Sequence, residues 1–278
     1  MKTTAGEVSA KADAREARVK AERPAEAKSR RRGFLAASAT MAAGLGFVVV
    51  APGIRLIEAA EANSTGATRA AGEPASNKVR WGMLVDTTRC AAGCDACVKA
   101  CNSENGINEQ VADPRQGSHW IRKVDLTDKK TSREFSLPMM CQHCANPPCV
   151  DVCPTGASMK RADGIVLVDR HICIGCRYCM MACPYKARSF VHEPIEDQKP
   201  YAPRGKGTVE SCTLCVHRVD EGRIPACVEA CNDTAGGAML FGDLNDPSSE
   251  IAKRVAAYRT TRIRADLGTD PGVRYVNI

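Results

Sequence analysis

Hydrophobic and polar positions divide the first part of the chain into two contrasting stretches. Residues 1–32 are polar and charged, and residues 34–52 then run for 19 positions without a charge. A basic segment ahead of an uncharged, Ala- and Gly-rich run is typical of a targeting segment, which is set aside before the fold is considered. No later segment is apolar for long enough to span a bilayer.

Beyond residues 63–79, which are small and polar and are predicted to form a flexible linker, the pattern predicts short strands. Residues 80–85 form one predicted strand, and residues 165–169 form another after an Asp163-Gly164 turn. Residues 120–126 and 131–137 alternate partially around a polar tetrapeptide, which predicts a surface hairpin.

One helix is predicted, over about residues 250–260. It begins behind Asp246-Pro247 and has Ile251, Val255 and Tyr258 on one face. Regular structure is otherwise predicted to be sparse, and aromatic residues make up only 4% of the chain. Another source of order is therefore needed, and the sixteen cysteines are the candidate. If they bind metal, the metal-free protein is expected to be largely unfolded.

The cysteines fall into four groups of four with short, repeated gaps. The third group, residues 173–183, has the C-x2-C-x2-C-x3-C-P spacing of bacterial ferredoxins. A cysteine at every third position lets a short loop place three thiolates around one cubane [4Fe–4S] cluster. All four groups end in C-x3-C, and in ferredoxins this last cysteine ligates the neighbouring cluster.

The residue after each last cysteine predicts which groups pair. The second and third groups end in Cys-Pro, whereas the first and fourth end in Cys-Asn and flank the other two. This predicts a nested arrangement with four ligand sets, each named here by its first cysteine. They are the Cys90 set (Cys90, Cys94, Cys97, Cys231), the Cys212 set (Cys212, Cys215, Cys227, Cys101), the Cys141 set (Cys141, Cys144, Cys149, Cys183) and the Cys173 set (Cys173, Cys176, Cys179, Cys153).

Two other uses of the cysteines fit their spacing less well. Eight disulfides would be the ordinary expectation for an exported protein, but disulfide frameworks have no reason to repeat two-residue gaps. Structural zinc would suit the fourth group, which has an eleven-residue gap, if that group stood alone. Beside an unaltered ferredoxin run, four [4Fe–4S] clusters are the preferred interpretation.

The residues at 30–62 carry an export signal. Arg31 and Arg32 precede Gly-Phe-Leu and a weakly hydrophobic run, which resembles a twin-arginine signal, and small residues predict cleavage near Ala62. That route carries folded proteins, so clusters could be inserted before export to the periplasm. An uncleaved membrane anchor over residues 34–52 is the alternative, although its many Ala and Gly make it a poor span.

Net charge does not indicate nucleic-acid binding. Residues 1–62 hold 11 of the 39 Lys/Arg and 7 of the 32 Asp/Glu, which leaves 28 and 25, or a net charge of +3, for the rest. Four oxidised clusters at about −2 each would bring this to roughly −5. No basic run with interleaved aromatics is present after the signal.

The predicted fold is α+β, with two tandem bacterial-ferredoxin-like 2[4Fe–4S] modules that are nested and contain little regular secondary structure. The predicted divisions are a signal (1–62), a linker (63–79), the first part of the outer module with its hairpin insert (80–140), the inner module (141–200), the second part of the outer module (201–240), and a C-terminal helix and tail (241–278).

No catalytic residue is predicted. Dinucleotide, P-loop and zincin motifs are missing from the sequence, and every cysteine is used as a ligand. His143 and His217 lie inside cluster loops, where they are interpreted as neighbours that tune the clusters' potentials, the alternative being plain exposure. An electron-transfer subunit is preferred to an oxidoreductase with its own active site. It is also preferred to a freely diffusing ferredoxin, because the long inserts favour docking.

Over about residues 80–275 the chain resembles the four-cluster ferredoxin subunits of the complex iron–sulfur molybdoenzyme family and its quinone-linked relatives. The resemblance rests on Cys-Gln-His-Cys-Ala-Asn-Pro-Pro-Cys at 141–149, Cys-Pro-Thr-Gly-Ala at 153–157, Cys-Ile-Gly-Cys at 173–176 and Ala-Cys-Pro-Tyr at 182–185. The nested pairing is also the one that this family uses. Segments 205–212, 215–220 and 241–247, with the export signal, are most similar to the DsrO group of periplasmic subunits.

The resemblance implies a subunit peripheral to the membrane and docked on a polytopic quinone-binding subunit. It implies electron transfer between that subunit and a multihaem cytochrome or other redox subunit, in dissimilatory sulfur metabolism. Electron transfer to a molybdopterin, nitrite, tetrathionate or polysulfide reductase is the alternative, because those relatives share the cysteine pattern.

Overall fold

The computed structural model describes residues 69–278, except 71, 108–110, 112, 197 and 235. The predicted signal, with Arg31, Arg32 and the cleavage position near Ala62, lies outside the described residues. The helices are α1 (Ala96–Asn105), α2 (Pro148–Asp151), α3 (Tyr178–Ala182), α4 (Val216–Asp220), α5 (Ala226–Thr234) and α6 (Glu250–Ala257). The strands are β1 (Trp81–Asp86), β2 (Ile121–Thr127), β3 (Glu134–Met140), β4 (Ser158–Lys160), β5 (Val166–Val168), β6 (Ser189–Phe190), β7 (Val209–Glu210), β8 (Met239–Asp243), β9 (Thr260–Thr261) and β10 (Val273–Val276).

A four-stranded sheet joins distant parts of the chain in the order β8-β1-β10-β9. β1 runs antiparallel to β8 and parallel to β10, so Met83 lies opposite both Phe241 and Val273. Met83 and Tyr275 are fully buried because both faces of the central strands are covered. The sheet therefore connects the segment before the first cysteine group to segments that follow the last one.

Three two-stranded ribbons complete the β-structure of the described residues. β2 and β3 pair antiparallel over seven residues, which confirms the predicted hairpin, and β4 pairs with β5, which confirms the predicted turn and strand. The turn needs Gly164, since its φ is +87° and a Cβ there would lie 1.8 Å from Nη1 of Arg80. β6 pairs with β7.

The cysteine-bearing helices pack in two pairs. α1, which carries Cys97 and Cys101, packs against α5, which carries Cys227 and Cys231. The shorter α2 and α3 pack against each other and carry Cys149 and Cys179. The first cysteine group therefore lies beside the fourth, and the second beside the third.

The C-terminal helix begins where the sequence predicts, but its capping residue and its last turn differ from the prediction. Ser249 caps it, with Oγ accepting a hydrogen bond from the Ala252 N–H at 3.2 Å, because a hydroxyl one residue before the helix satisfies a free amide better than Asp246-Pro247 could. Tyr258 lies just past the last helical residue and is exposed, while Ile251 is buried against the sheet.

Regular structure is more extensive than the sequence pattern indicated, since β8, β9 and β10 were not predicted. Part of the predicted linker is also anchored, because Arg69 forms an ion pair with Asp220 at 2.5 Å. Within the part of the chain that the structure describes, no helix is both long enough and apolar enough to cross a membrane.

Candidate metal centres

All sixteen cysteines lie in described residues, and none of them forms a disulfide. Eleven of them are buried, and most of those belong to the same core as Trp81 and Tyr275. The thiols take the place of the large apolar side chains that the composition lacks. Around two of the predicted sets the structure has well-defined cavities.

The four cysteines of the Cys141 set line one small cavity. His143 turns the loop between Cys141 and Cys144 with a left-handed φ of +43°. Pro147 precedes α2 and Pro148 is its first residue, which places Cys149 in the first turn of the helix. The lining also includes Val166 and Arg188, so the space has both apolar and cationic walls.

The four cysteines of the Cys90 set line a second small cavity. Three come from the loop before α1 and from its start, whereas Cys231 comes from α5, across the helix pair. Lys123, on the hairpin strand β2, closes one wall and donates a hydrogen bond from Nζ to Sγ of Cys90 at 2.8 Å.

The cysteines of the Cys212 set lie close together at the other end of the α1–α5 pair. Burial, followed by the nearby thiols of Cys212 and Cys215, holds the pKa of Cys101 well above its usual value. The pKa of Cys227 is raised by burial and by Cys215, Cys101 and Cys212 in the same way.

The Cys173 set is the most open of the four. Burial raises the pKa of Cys179, and Cys173 and Cys153 add to the effect, so these three thiols are neighbours. Cys176 is the one cysteine of the sixteen that is exposed. Close along the chain to the cysteines of this set are exposed apolar side chains, namely Val152, Met159, Ile172, Ile174, Tyr178 and Met181.

Contacts between sets arrange them in a row. Cys97 is near Cys227, which links the Cys90 set to the Cys212 set. Cys212 is near Cys141, which links the Cys212 set to the Cys141 set. Cys149 is near Cys179, which links the Cys141 set to the Cys173 set. The order along the molecule is therefore the Cys90, Cys212, Cys141 and Cys173 sets.

Hydrogen-bond donors point at thiols in every set. Arg188 donates from Nη2 to Sγ of Cys149 at 3.1 Å, and Asn105 approaches Sγ of Cys101 at 3.7 Å. Backbone N–H groups donate to three other sulfurs: Leu214 to Cys212 at 3.4 Å, Val209 to Cys173 at 3.4 Å and Ser158 to Cys153 at 3.3 Å. Such donors stabilise thiolates and, in iron–sulfur proteins, set the potential of the centre.

The two loop histidines have different environments. His143 is fully buried, its Nδ1 accepts the Val166 N–H at 3.0 Å, and burial followed by Arg80 and Arg188 lowers its pKa to about 3. It is therefore neutral at physiological pH and positions the loop rather than adding charge. His217 hydrogen-bonds Glu104 through Nε2 at 2.7 Å and stacks on Tyr201.

Lys123 and Arg188 were not singled out from the sequence, although both contact thiols. Lys123 lies in a hairpin far from any cysteine along the chain, so spacing carries no signal for it. Arg188 lies five residues beyond Cys183, and its position after a Cys-Pro ending was the only available clue.

The residues present fit [4Fe–4S] clusters. The two cavities are each lined by four thiols that surround a space, with no carboxylate among the lining residues. Among the described residues, no three Cys, His, Asp or Glu side chains come close enough to hold a single metal ion. Burial raises the pKa of Cys97 to about 11 and that of Cys141 to about 12, so binding of a metal group must release protons from these thiols.

Comparison with known proteins agrees with this chemistry. Residues 133–244 match the family model of the 4Fe-4S dicluster domain. The chain is 43% identical to the Hdr-like menaquinol oxidoreductase iron-sulfur subunit 1 of Archaeoglobus fulgidus, over 74% of this chain and 86% of that one. It is 38% identical to a tetrathionate reductase subunit of Salmonella typhimurium, over 73% of this chain and 74% of that one.

A third relative, the menaquinone reductase iron-sulfur cluster-binding subunit of Nitratidesulfovibrio vulgaris, is 35% identical over 72% of this chain and 89% of its own length. The cysteine-lined centres and these relatives define the class as an iron–sulfur protein with [4Fe–4S] clusters. Within that class, the chain belongs to the family of 4Fe-4S iron–sulfur subunits of oxidoreductase complexes. It is an electron-transfer subunit and not the catalytic one.

Proposed function

We propose that this chain relays electrons through four [4Fe–4S] clusters, one held by each of the four cysteine sets. The observation that carries the proposal is the row of sets, in which each lies beside the next. When bound, each cluster supplies a one-electron redox centre. The protein's own residues hold the centres in sequence and, through Lys123, Arg188 and the backbone donors, adjust their relative potentials.

The nested pairing is part of this proposal. It is supported by the packing of α1 on α5 and of α2 on α3, and by the inclusion of Cys231 in the cavity of the Cys90 set. Anaerobically purified protein should contain about sixteen irons per chain. Replacement of Cys231 by Ala should remove the cluster signal of the Cys90 set. Loss of the Cys212-set signal in its place would contradict the pairing.

We propose a polytopic quinone-binding membrane subunit as one partner. Two relatives are named for menaquinol or menaquinone, which supports a quinone-linked role. The exposed apolar side chains around Cys176, at one end of the row, offer a surface for such a subunit, since electrons need a short path out of the protein. Met181→Glu, at a 75% exposed position, should release the chain from the membrane subunit, whereas Leu126→Glu on the hairpin should not.

At the other end we propose a periplasmic redox partner, a multihaem cytochrome, within a Dsr-type complex of dissimilatory sulfur metabolism in which this chain plays the part of DsrO. Support comes from segments 205–212, 215–220 and 241–247 and from the twin-arginine motif at Arg31 and Arg32. Periplasmic location belongs to the same proposal.

A second candidate is electron transfer to a molybdopterin-type reductase. It is favoured by the likeness to the tetrathionate reductase subunit. Purification of the native membrane complex and identification of its subunits separates the two candidates. A multihaem cytochrome would support the first, and a molybdopterin subunit would refute it while leaving the relay intact.

A further inference from the structure

Arg188 lies between two neighbouring cysteine sets. It is only 5% exposed, and its Nη2 donates to Sγ of Cys149, of the Cys141 set, at 3.1 Å. The same nitrogen donates to Oγ of Ser158 at 2.8 Å, and the Ser158 N–H donates to Sγ of Cys153, of the Cys173 set. One guanidinium is thus connected to thiols of both sets.

No carboxylate pairs with Arg188 in the described part of the chain. Arg204, which is buried to the same degree, forms two hydrogen bonds with Glu210 at 2.7 and 2.9 Å. In contrast, Nε and Nη1 of Arg188 are buried without any hydrogen-bond partner. Its polar contacts are the sulfurs of Cys149 and Cys179 and one hydroxyl.

A buried cation without a counter-charge strongly destabilises a folded protein, so a negative charge has to lie next to Arg188. The cysteines that interact with its guanidinium are Cys149, Cys141 and Cys179. Those cysteines belong to both neighbouring sets. The negative charge that compensates Arg188 is therefore the charge of the ligated centres themselves.

We propose that Arg188 is the shared counter-ion of the clusters in the Cys141 and Cys173 sets and that it raises both of their reduction potentials. The inference rests on the proposed relay. Reduction adds one electron, and hence one negative charge, to a centre while Arg188 keeps its proton. No bond forms or breaks, and the electron comes from the adjacent centre and leaves to the next one. A fixed positive charge stabilises the reduced form of either centre, so both become better electron acceptors.

The test is a redox titration of the anaerobic holoprotein, followed by the EPR signals of the reduced clusters. Arg188→Gln removes the charge but keeps N–H donors, and Lys123→Gln is the matched control because the thiols that Lys123 faces belong to the Cys90 set. Arg188→Gln should make one-electron reduction at least tenfold less favourable at two clusters, which equals 59 mV for each. Lys123→Gln should shift one other cluster.

The shared role would be overturned if Arg188→Gln had full iron content and all four midpoint potentials were unchanged. It would also be overturned if only one cluster shifted its potential. Protein that lacks four cluster signals even as wild type would instead refute the relay itself. If Arg188→Gln does not bind its clusters, the wild-type protein provides the test. Arginine labelled with ¹⁵N in the guanidinium should then give a weak ¹⁵N coupling in the pulsed EPR spectra of two clusters. No coupling would overturn the proposal.

Discussion

Gly175, inside the Cys173–Cys176 loop, lets two backbone segments approach closely. The effect of replacing it can be compared with the effect of replacing Gly156, a glycine with open surroundings. The φ of Gly175 is +71°, and a Cβ on it would lie 2.2 Å from the carbonyl oxygen of Gly207. Gly156, in the loop after Cys153, has a φ of +70° but nothing within 4 Å of the position of its Cβ. Alanine at either site meets the same backbone penalty, so only Gly175→Ala adds a collision with main chain.

The backbone penalty of a left-handed alanine is about 1–2 kcal/mol. Overpacking adds about 1–3 kcal/mol, and here the colliding atom belongs to the backbone, which cannot rotate away. Gly175→Ala should therefore destabilise the holoprotein by about 2 kcal/mol more than Gly156→Ala. Because Val209, two residues beyond Gly207, donates to Cys173, the displaced strand should also loosen the centre of the Cys173 set.

Guanidinium unfolding under anaerobic conditions, followed by the visible absorbance of the clusters, measures the difference in stability. Iron content and EPR spectra then show which centre is affected. If the two variants had equal guanidinium midpoints of unfolding and equal iron contents, the argument from close packing would be refuted. Loss of iron from Gly156→Ala but not from Gly175→Ala would refute it more directly.

Three further predictions concern buried charge. The pKa of His143 is about 3 in the folded protein and about 6.5 in the unfolded protein, so the unfolded state takes up a proton as pH falls. Between pH 7 and 4.5 the wild type should therefore lose about 2.5 kcal/mol of unfolding free energy, which His143→Asn should retain. Parallel pH profiles of the unfolding midpoints of the two proteins would count against this. Arg204→Met removes the ion-pair partner of the buried Glu210 and should cost about 3–5 kcal/mol, most of which Arg204→Met/Glu210→Leu should recover in the same unfolding assay. A double variant no more stable than the single one would be inconsistent with this prediction. Burial raises the pKa of Cys97 to about 11 and of Cys141 to about 12, so cluster reconstitution, measured by bound iron, should become tighter from pH 6.5 to 8.5, and a flat or falling curve would reject the proton release.

Local elements could be predicted from the sequence because their signals are local. The hairpin alternates across a polar turn, and the Asp163-Gly164 pair marks a reversal that requires positive φ, so both were found close to their observed bounds. The four-stranded sheet was not predicted. Met239–Asp243 and Val273–Val276 both pair with β1, which is more than 150 residues away in sequence, and no short-range pattern reports such a partner.

The residues of the candidate site likewise fall into those with a local sequence signal and those without one. Cysteine spacing predicts the cluster ligands, since loop geometry is encoded over a few residues. The ligands and their grouping into four sets both remain predictions, which the packing of α1 on α5 supports. The charged side chains that contact the thiols from other segments of the chain have no comparable signal in the sequence. Lys123 arrives from the hairpin, and the role of Arg188 depends on burial, which residue type does not reveal.

The place of β10 between β1 and β9 has a consequence for how the protein is made. The sheet cannot close until Val276 has left the ribosome, and Cys231, opposite the first cysteine group, also emerges late. At about 5–20 residues per second, the thiols of Cys90 and Cys94 would wait roughly 9–37 seconds in an incomplete chain. During that interval they are nascent, unligated nucleophiles, so a reducing cytosol and the timing of cluster delivery become part of the folding pathway.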